Sequence, residues 1–150
     1  MKCFLDTSVL LPAALSVHPN HVYAVNLIET SAAVSAELIC LSTHVIAELY
    51  SNLPTAARRL DTIITAEEAA YAVKSLVNHF TTISLDEVDY FNALDRCAQL
   101  NLTGGVVYDA IHYQAALKAE VDILYTDNLK DFTRLVLPGD SIRIEGLDKY

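Results

Sequence analysis

Short apolar runs alternate along this chain with stretches in which apolar positions recur every three or four residues, the pattern of strands and amphipathic helices in a parallel α/β sheet. Lys2–Leu5 predicts a short buried strand, and Val9–Leu15 begins a helix that His18-Pro19 breaks. Asn20 is expected to cap a second helix, with Val22, Val25 and Ile28 on one face. Leu38–Leu41 predicts a second strand, after which Thr43 caps a helix bearing Glu48 and Pro54 closes it. Thr65-Ala66-Glu67-Glu68 and Ser84-Leu85-Asp86-Glu87 both fit the capping box, in which the hydroxyl and the Glu satisfy each other's orphan amides. They predict helices of roughly 14–16 residues. Ala69, Val73, Leu76 and Val77 face inward in one, and Val88, Phe91, Leu94 and Ala98 in the other. Thr81–Ser84 predicts a strand between them, and Gly104-Gly105 a tight turn into the helix of Asp109. Asp122–Tyr125 then predicts a strand, Asn128–Leu135 a short helix and Ile142–Glu145 an edge strand after Pro138-Gly139.

The bulk properties narrow the class. With 150 residues and no linker, repeat or low-complexity stretch, residues 1–150 are expected to form a single domain. A hydrophobic content of 53% and a mean hydropathy of +0.30 exclude a disordered chain. No apolar run approaches the roughly 20 residues needed to span a bilayer, and the run after Met1-Lys2 ends at Asp6, too early for a signal peptide. Cys3, Cys40 and Cys97 are far apart and lack metal-ligand spacing, so they read as buried thiols of a cytoplasmic protein. The net charge of −9 opposes simple electrostatic capture of nucleic acid; contact with RNA needs a local basic strip or a second subunit.

Four acids stand where an apolar strand stops or a helix has just begun: Asp6, Glu48, Asp109 and Asp127. In an open α/β sheet, ligands bind outside the carboxyl ends of the strands, and carboxylates gathered there call for a hard divalent cation held by oxygens. Asp6 heads Asp6-Thr7-Ser8 and serves equally well as a helix N-cap. On helical wheels Glu48 and Asp109 each lie about 110° from the middle of an apolar stripe, Val45/Ile46/Leu49/Leu53 for one and Val106/Val107/Ala110/Leu117 for the other. Both would look into a cleft from an early helical turn, where the helix dipole favours the ionised form. Asp127, Asn128 and Asp131 cluster at the last strand end, and one of them is expected to cap the following helix. His44 and His112 lie near Glu48 and Asp109 in sequence, but hard cations prefer oxygen and His112 is expected to project away from the cleft. Tyr108, Tyr113 and Tyr125 suit either core packing or stacking on bases. Thr7, Ser8 and Thr126 are candidates for orienting carboxylates or a phosphate. Arg58, Arg59, Lys130 and Arg134 are candidate RNA contacts, with surface ion pairs an equal reading for each. There is no phosphate-binding Gly-rich loop and no nucleophile elbow.

At this point the chain resembles a PIN-domain ribonuclease, in particular the VapC-type toxins of bacterial toxin–antitoxin pairs. The likeness rests on Phe4-Leu5-Asp6-Thr7-Ser8, the His18-Pro19-Asn20-His21 break, Ala47-Glu48-Leu49-Tyr50, Gly104-Gly105-Val106-Val107-Tyr108-Asp109-Ala110, and Tyr125-Thr126-Asp127-Asn128-Leu129-Lys130-Asp131-Phe132. It implies a PIN-like α/β fold, a central parallel sheet flanked by helices on both faces, often as a homodimer. It also implies Mg²⁺ or Mn²⁺ held by Asp6, Glu48 and Asp109, hydrolysis of RNA phosphodiesters, and a cognate antitoxin protein. The antitoxin's docking groove is expected along Val45–Leu53 and Leu60–Ile64. The sequence departs from the fullest family pattern at Asn128, where a fourth acid commonly stands; Asp127 or Asp131 would have to substitute. The main alternative is therefore a catalytically silent scaffold of the same fold that binds RNA or a partner. An Asp-dependent phosphatase fits less well, because Ser8 stands where such enzymes want a second Asp.

Overall fold

The computed structural model describes residues 1–147. Among them five strands form one fully parallel sheet: β1 (Cys3–Leu5), β2 (Ile39–Ser42), β3 (Thr81–Ile83), β4 (Ile123–Tyr125) and β5 (Arg143–Glu145), in the order β3-β2-β1-β4-β5. All five match predicted strands within a residue or two, and β5 takes the edge expected of it. Alternation along each strand divides the core. Cys3, Leu5, Ile39, Leu41, Ile123 and Tyr125 point to one face, and Phe4, Cys40 and Leu124 to the other. The first face is covered by α1 (Thr7–Ala14), α2 (His21–Ser35), α3 (His44–Arg59) and α4 (Ala66–Val77). The second is covered by α5 (Glu87–Gln99), α6 (Val106–Lys118) and α7 (Leu129–Arg134). Burial on both faces explains why β1, β2 and β4 read as apolar runs, whereas the edge strands β3 and β5 are only partly buried and carry polar residues.

The chain builds outward from β1 through β2 to β3, then crosses back through α5 and α6 to enter β4 on the opposite side of β1. The strand order thus reverses between β1 and β4, and that reversal opens the crevice above their carboxyl ends. The register Leu5↔Tyr125 sets Asp6 beside Thr126, and Asp6 N donates to Tyr125 O at 3.0 Å just as the chain leaves the sheet.

Several local expectations are corrected. Pro54 lies inside α3, which continues to Arg59: the buried series Val45, Leu49, Leu53 and Ala57 outweighs one lost backbone hydrogen bond. Ile46, counted in the apolar stripe, is 44% exposed. Thr43 occupies the N-cap of α3 without a side-chain bond, and Ser42 Oγ accepts from Val45 N at 3.3 Å instead. Asn20 likewise caps α2 by position alone, and α2 buries Ala24 and Leu27 while Val22 is exposed. The Thr65–Glu68 capping box forms as predicted, but the second box is Asp86–Asp89, two residues later than Ser84–Glu87. The inward face of α5 is also reversed. Ala93 and Cys97 are buried with Asp89, while Val88, Phe91, Leu94 and Ala98 are exposed. The small side chains let α5 approach α6 closely, and Lys118 on α6 pairs with Asp89. Leu60–Ile64 is a turn and an extended link, not a helix.

Candidate active site

Asp6 is both helix cap and crevice carboxylate. Its Oδ2 accepts from Ser8 N at 3.4 Å, Ser8 Oγ at 2.6 Å and Thr126 Oγ1 at 2.9 Å. Its Oδ1 faces His112 Nε2 at 4.0 Å. One oxygen is therefore spent on local order while the other looks across the crevice. Asp127 N donates to Ser8 Oγ at 2.8 Å and Asn128 N to Thr126 Oγ1 at 2.9 Å, so two hydroxyls stitch the ends of β1 and β4 together.

Glu48 reaches the crevice from α3. Thr7 Oγ1 donates to its Oε2 at 3.1 Å, and His112 Nε2 donates to the same oxygen at 2.6 Å. His112 Nδ1 shares a 2.8 Å hydrogen bond with Ser42 Oγ, which completes a chain from the end of β2 through α6 to α3. Burial opposes the ionised form of Glu48, yet the His112 bond and charge hold its carboxyl below the ordinary value. Burial would likewise depress His112, but its bond to Glu48 and the charges of Asp6, Glu48 and Asp109 prevail and raise it. His112 is thus a buried imidazole whose protonated form three acids favour, contrary to the expectation that it projects away from the cleft. The helical wheel failed because α6 is enclosed almost all round: Ala110, Ile111, His112, Tyr113, Ala115 and Ala116 are all buried, so no single apolar face exists to measure from. Ser42 was missed as well, since a strand-end serine carries no signal by itself.

Asp109 lies in the first turn of α6, and Asn128 Nδ2 donates to its Oδ2 at 3.3 Å. Asn128 therefore occupies the N-cap of α7 with its side chain turned to Asp109 rather than to its own helix. Asp109 is pushed up from 3.8 to about 7, first by burial and then by the negative charges of Asp6, Asp131 and Glu48, with only His112 opposing. Burial is the largest part of that push, and the neighbouring carboxylates add to it. Of the last cluster, Asp131 acts on Asp109 through its charge while pairing with Arg134 at 3.1 Å. Asp127 is exposed and contributes its backbone.

Beside Glu48, His44 and Tyr108 stack with ring centroids 5.6 Å apart, and His44 meets His112 edge-on at 5.5 Å. Burial and the charge of His112 lower His44 below its ordinary value. Tyr108 is 54% exposed, whereas Tyr113 and Tyr125 belong to the core. Arg58 and Arg59 end α3, about 15 Å along the axis from Glu48, and are not brought to the crevice. Lys130 and Arg134 are exposed on α7.

The donor set fits a hard cation. Asp6, Glu48 and Asp109 offer carboxylate oxygens, Ser8 and Thr126 add hydroxyls, and the three carboxylates act on one another through their charges. Among the described residues no three His, Cys, Asp or Glu side chains close into a ready coordination group. Hydrogen bonds from Ser8, Thr126, Thr7 and His112 orient Asp6 and Glu48, and one from Asn128 orients Asp109.

Known structures share this architecture. VapC20 of Mycobacterium tuberculosis, a sarcin–ricin loop cleaving toxin, superposes with a TM-score of 0.67 at 16% identity over 88% of this chain and 94% of that one. The DNA-bound VapBC of Salmonella typhimurium gives 0.66 at 19% identity over 98% of both chains. VapBC2 of Rickettsia felis, bound to a promoter DNA fragment, gives 0.67 at 21% identity over 97% and 98%. At such identities these likenesses establish the fold. No curated protein matches the chain in sequence. The PIN domain profile, however, matches residues 3–136 and so takes in all three crevice acids, and the chain belongs to the PIN-domain family.

Proposed function

We propose that this chain is a metal-dependent endoribonuclease and the toxin of a toxin–antitoxin pair. The observation that supports this most directly is the meeting of Asp6, Glu48 and Asp109 in one electrostatic field at the strand-order reversal. Asp6 and Asp109 would hold Mg²⁺ or Mn²⁺, with Asp131 or Asp127 assisting from the last cluster. When bound, such an ion supplies positive charge to a phosphodiester and acidifies water near neutral pH. Glu48, fixed by His112 and Thr7, orients the attacking water. Ser8 and Thr126 keep Asp6 aimed, and Asn128 does the same for Asp109. VapC20, named as a toxin, and a toxin–antitoxin complex from Klebsiella pneumoniae of the same fold lend weight to the toxin reading.

The surface supports two partners. A cavity of about 390 Å³ between α3 and α4, walled by Ile46, Ala47, Tyr50, Ala70 and Val73, suits an apolar antitoxin segment. It adopts the α3 part of the expected groove and replaces the Leu60–Ile64 part with α4. The exposed Val88, Phe91 and Leu94 on α5 suit a homodimer. Residues 1–147 include no helix long and apolar enough to cross a membrane, and a cytoplasmic protein acting as one domain over 1–150 is part of the proposal.

The test is cleavage of labelled RNA with Mn²⁺, beside an EDTA control and Asp6→Ala. Metal-dependent products from the wild type and none from the variant are expected. RNA binding without cleavage would favour the silent scaffold, which the Asn128 substitution makes the competing reading.

A further inference from the structure

A cavity of about 300 Å³ opens beside the acid cluster, lined by His44, Ala47, Glu48, Ser51, Asn52 and Tyr108. None of these side chains except Glu48 has a part in the chemistry proposed above. Tyr108 is a large aromatic ring 54% exposed at the start of a helix that is otherwise enclosed. It does not hang free, because it stacks on His44 at 5.6 Å with an interplanar angle of 16°. His44 in turn abuts His112, which is 1% exposed and bonded at both ring nitrogens, so the stack stands on a fixed support. A flat aromatic surface held in place loses little conformational freedom when something lands on it. Ser51 and Asn52, exposed on the next turn of α3, put a hydroxyl and an amide at the rim.

We infer that the His44–Tyr108 stack floors a nucleobase subsite next to the acid cluster, where one unpaired RNA base lies on Tyr108 and its edge meets Ser51 and Asn52. The cavity is at the small end for organic ligands, the size of one ring system rather than a peptide helix. An aromatic floor with amide and hydroxyl at the edge matches how single-stranded RNA is bound, by stacking and by hydrogen bonds to exposed base edges. Stacking also answers the difficulty of a −9 chain approaching a polyanion, since it draws on the base rather than on phosphate charge. Glu48 forms one wall, so the stacked base adjoins the phosphate to be cut, and the subsite selects where cleavage falls. This inference rests on the ribonuclease reading.

The test uses RNA hexamers in which fluorescent 2-aminopurine is walked through each position, with Ca²⁺ in place of Mn²⁺. The wild type should quench strongly at one position. Tyr108→Phe should retain that quench; Tyr108→Ala and Tyr108→Leu should abolish it and weaken binding about 5- to 100-fold. The Leu variant keeps the bulk without the aromatic face, so equal losses in both exclude a simple packing defect. Asn52→Ala should alter which base is preferred while leaving the quench. If Tyr108→Ala and Tyr108→Leu bind and quench as the wild type does, the subsite is refuted and the nuclease reading stands. If the wild type binds no hexamer, the subsite is again refuted, and Mn²⁺-dependent cleavage of longer RNA then decides the nuclease reading separately.

Discussion

Asp109→Asn should make the metal-free protein more stable and at the same time deprive it of its response to Mg²⁺. Asp109 titrates near 7 in the folded chain against an ordinary 3.8, so between those pH values the folded state keeps a proton that the unfolded chain has released. Stability must then decline as pH rises from about 4 to about 7 and level off above, where both states are ionised. At about 1.4 kcal/mol per tenfold change in proton affinity, the full penalty is roughly 4 kcal/mol; solvent screening of this half-buried carboxylate reduces it to about 1–3 kcal/mol. Asparagine is nearly isosteric and carries no charge, so the variant escapes the penalty. For a chain of this length the gain corresponds to a melting temperature about 3–9 °C above wild type at pH 8 in EDTA. The gap should shrink progressively as the pH is lowered towards 4. Adding Mg²⁺ at pH 8 should raise the wild type and barely move the variant. Differential scanning fluorimetry across pH, with and without Mg²⁺, reads both effects. A variant no more stable than wild type at pH 8 would refute the electrostatic argument, and an equal Mg²⁺ response would refute Asp109 as a ligand.

Other residues yield sharper single-point tests. His112→Ala removes two hydrogen bonds, one to Ser42 and one to Glu48; it should lower stability by roughly 2–4 kcal/mol and lose Mn²⁺-dependent RNA cleavage, whereas His112→Gln should recover stability better than activity. Because His112 is raised above 6.5, its share of stability is complete below that pH and disappears as pH climbs through the folded value. The wild type should therefore lose more stability than His112→Gln between pH 6 and pH 9 in urea titrations. Asp140→Ala removes the acceptor of Arg96 at 2.7 Å and of the Tyr113 hydroxyl at 3.0 Å; about 2–4 kcal/mol should be lost by chemical denaturation, with the Mg²⁺ response unchanged. Thr65→Ala opens the capping box of α4 and should cost about 1 kcal/mol without touching catalysis.

What could be read from the chain followed its strongest periodicities. Short apolar runs marked β1, β2 and β4 because each of these is buried on both faces, and strand ends located Asp6 and the Thr126–Asn128 segment directly. Glu48 and Asp109 were legible from their early helical positions. Side-chain direction was less so, for two physical reasons. On α5 the residues that face inward are small or charged, Ala93, Cys97 and Asp89, so choosing the most apolar face pointed the wrong way. On α6 burial extends around most of the helix, which hid His112. Pro54 misled in a different manner, since the burial of Leu53 and Ala57 carries α3 past a residue that would end an isolated helix. Pairings such as Asn128 with Asp109 join residues 19 apart and depend on how α7 turns, which no local pattern encodes.

The adjacency of β1 and β4 has a kinetic corollary. Thr126 grips Asp6 from 120 residues away, and strands that far apart must wait for nearly all the intervening polypeptide. On the ribosome, a nascent chain has Asp6 and Glu48 early, but its first strand lacks a neighbour on one side until β4 has emerged. On the nuclease reading proposed above, the crevice would thus be assembled only after β4 has left the ribosome, well after Asp6 and Glu48.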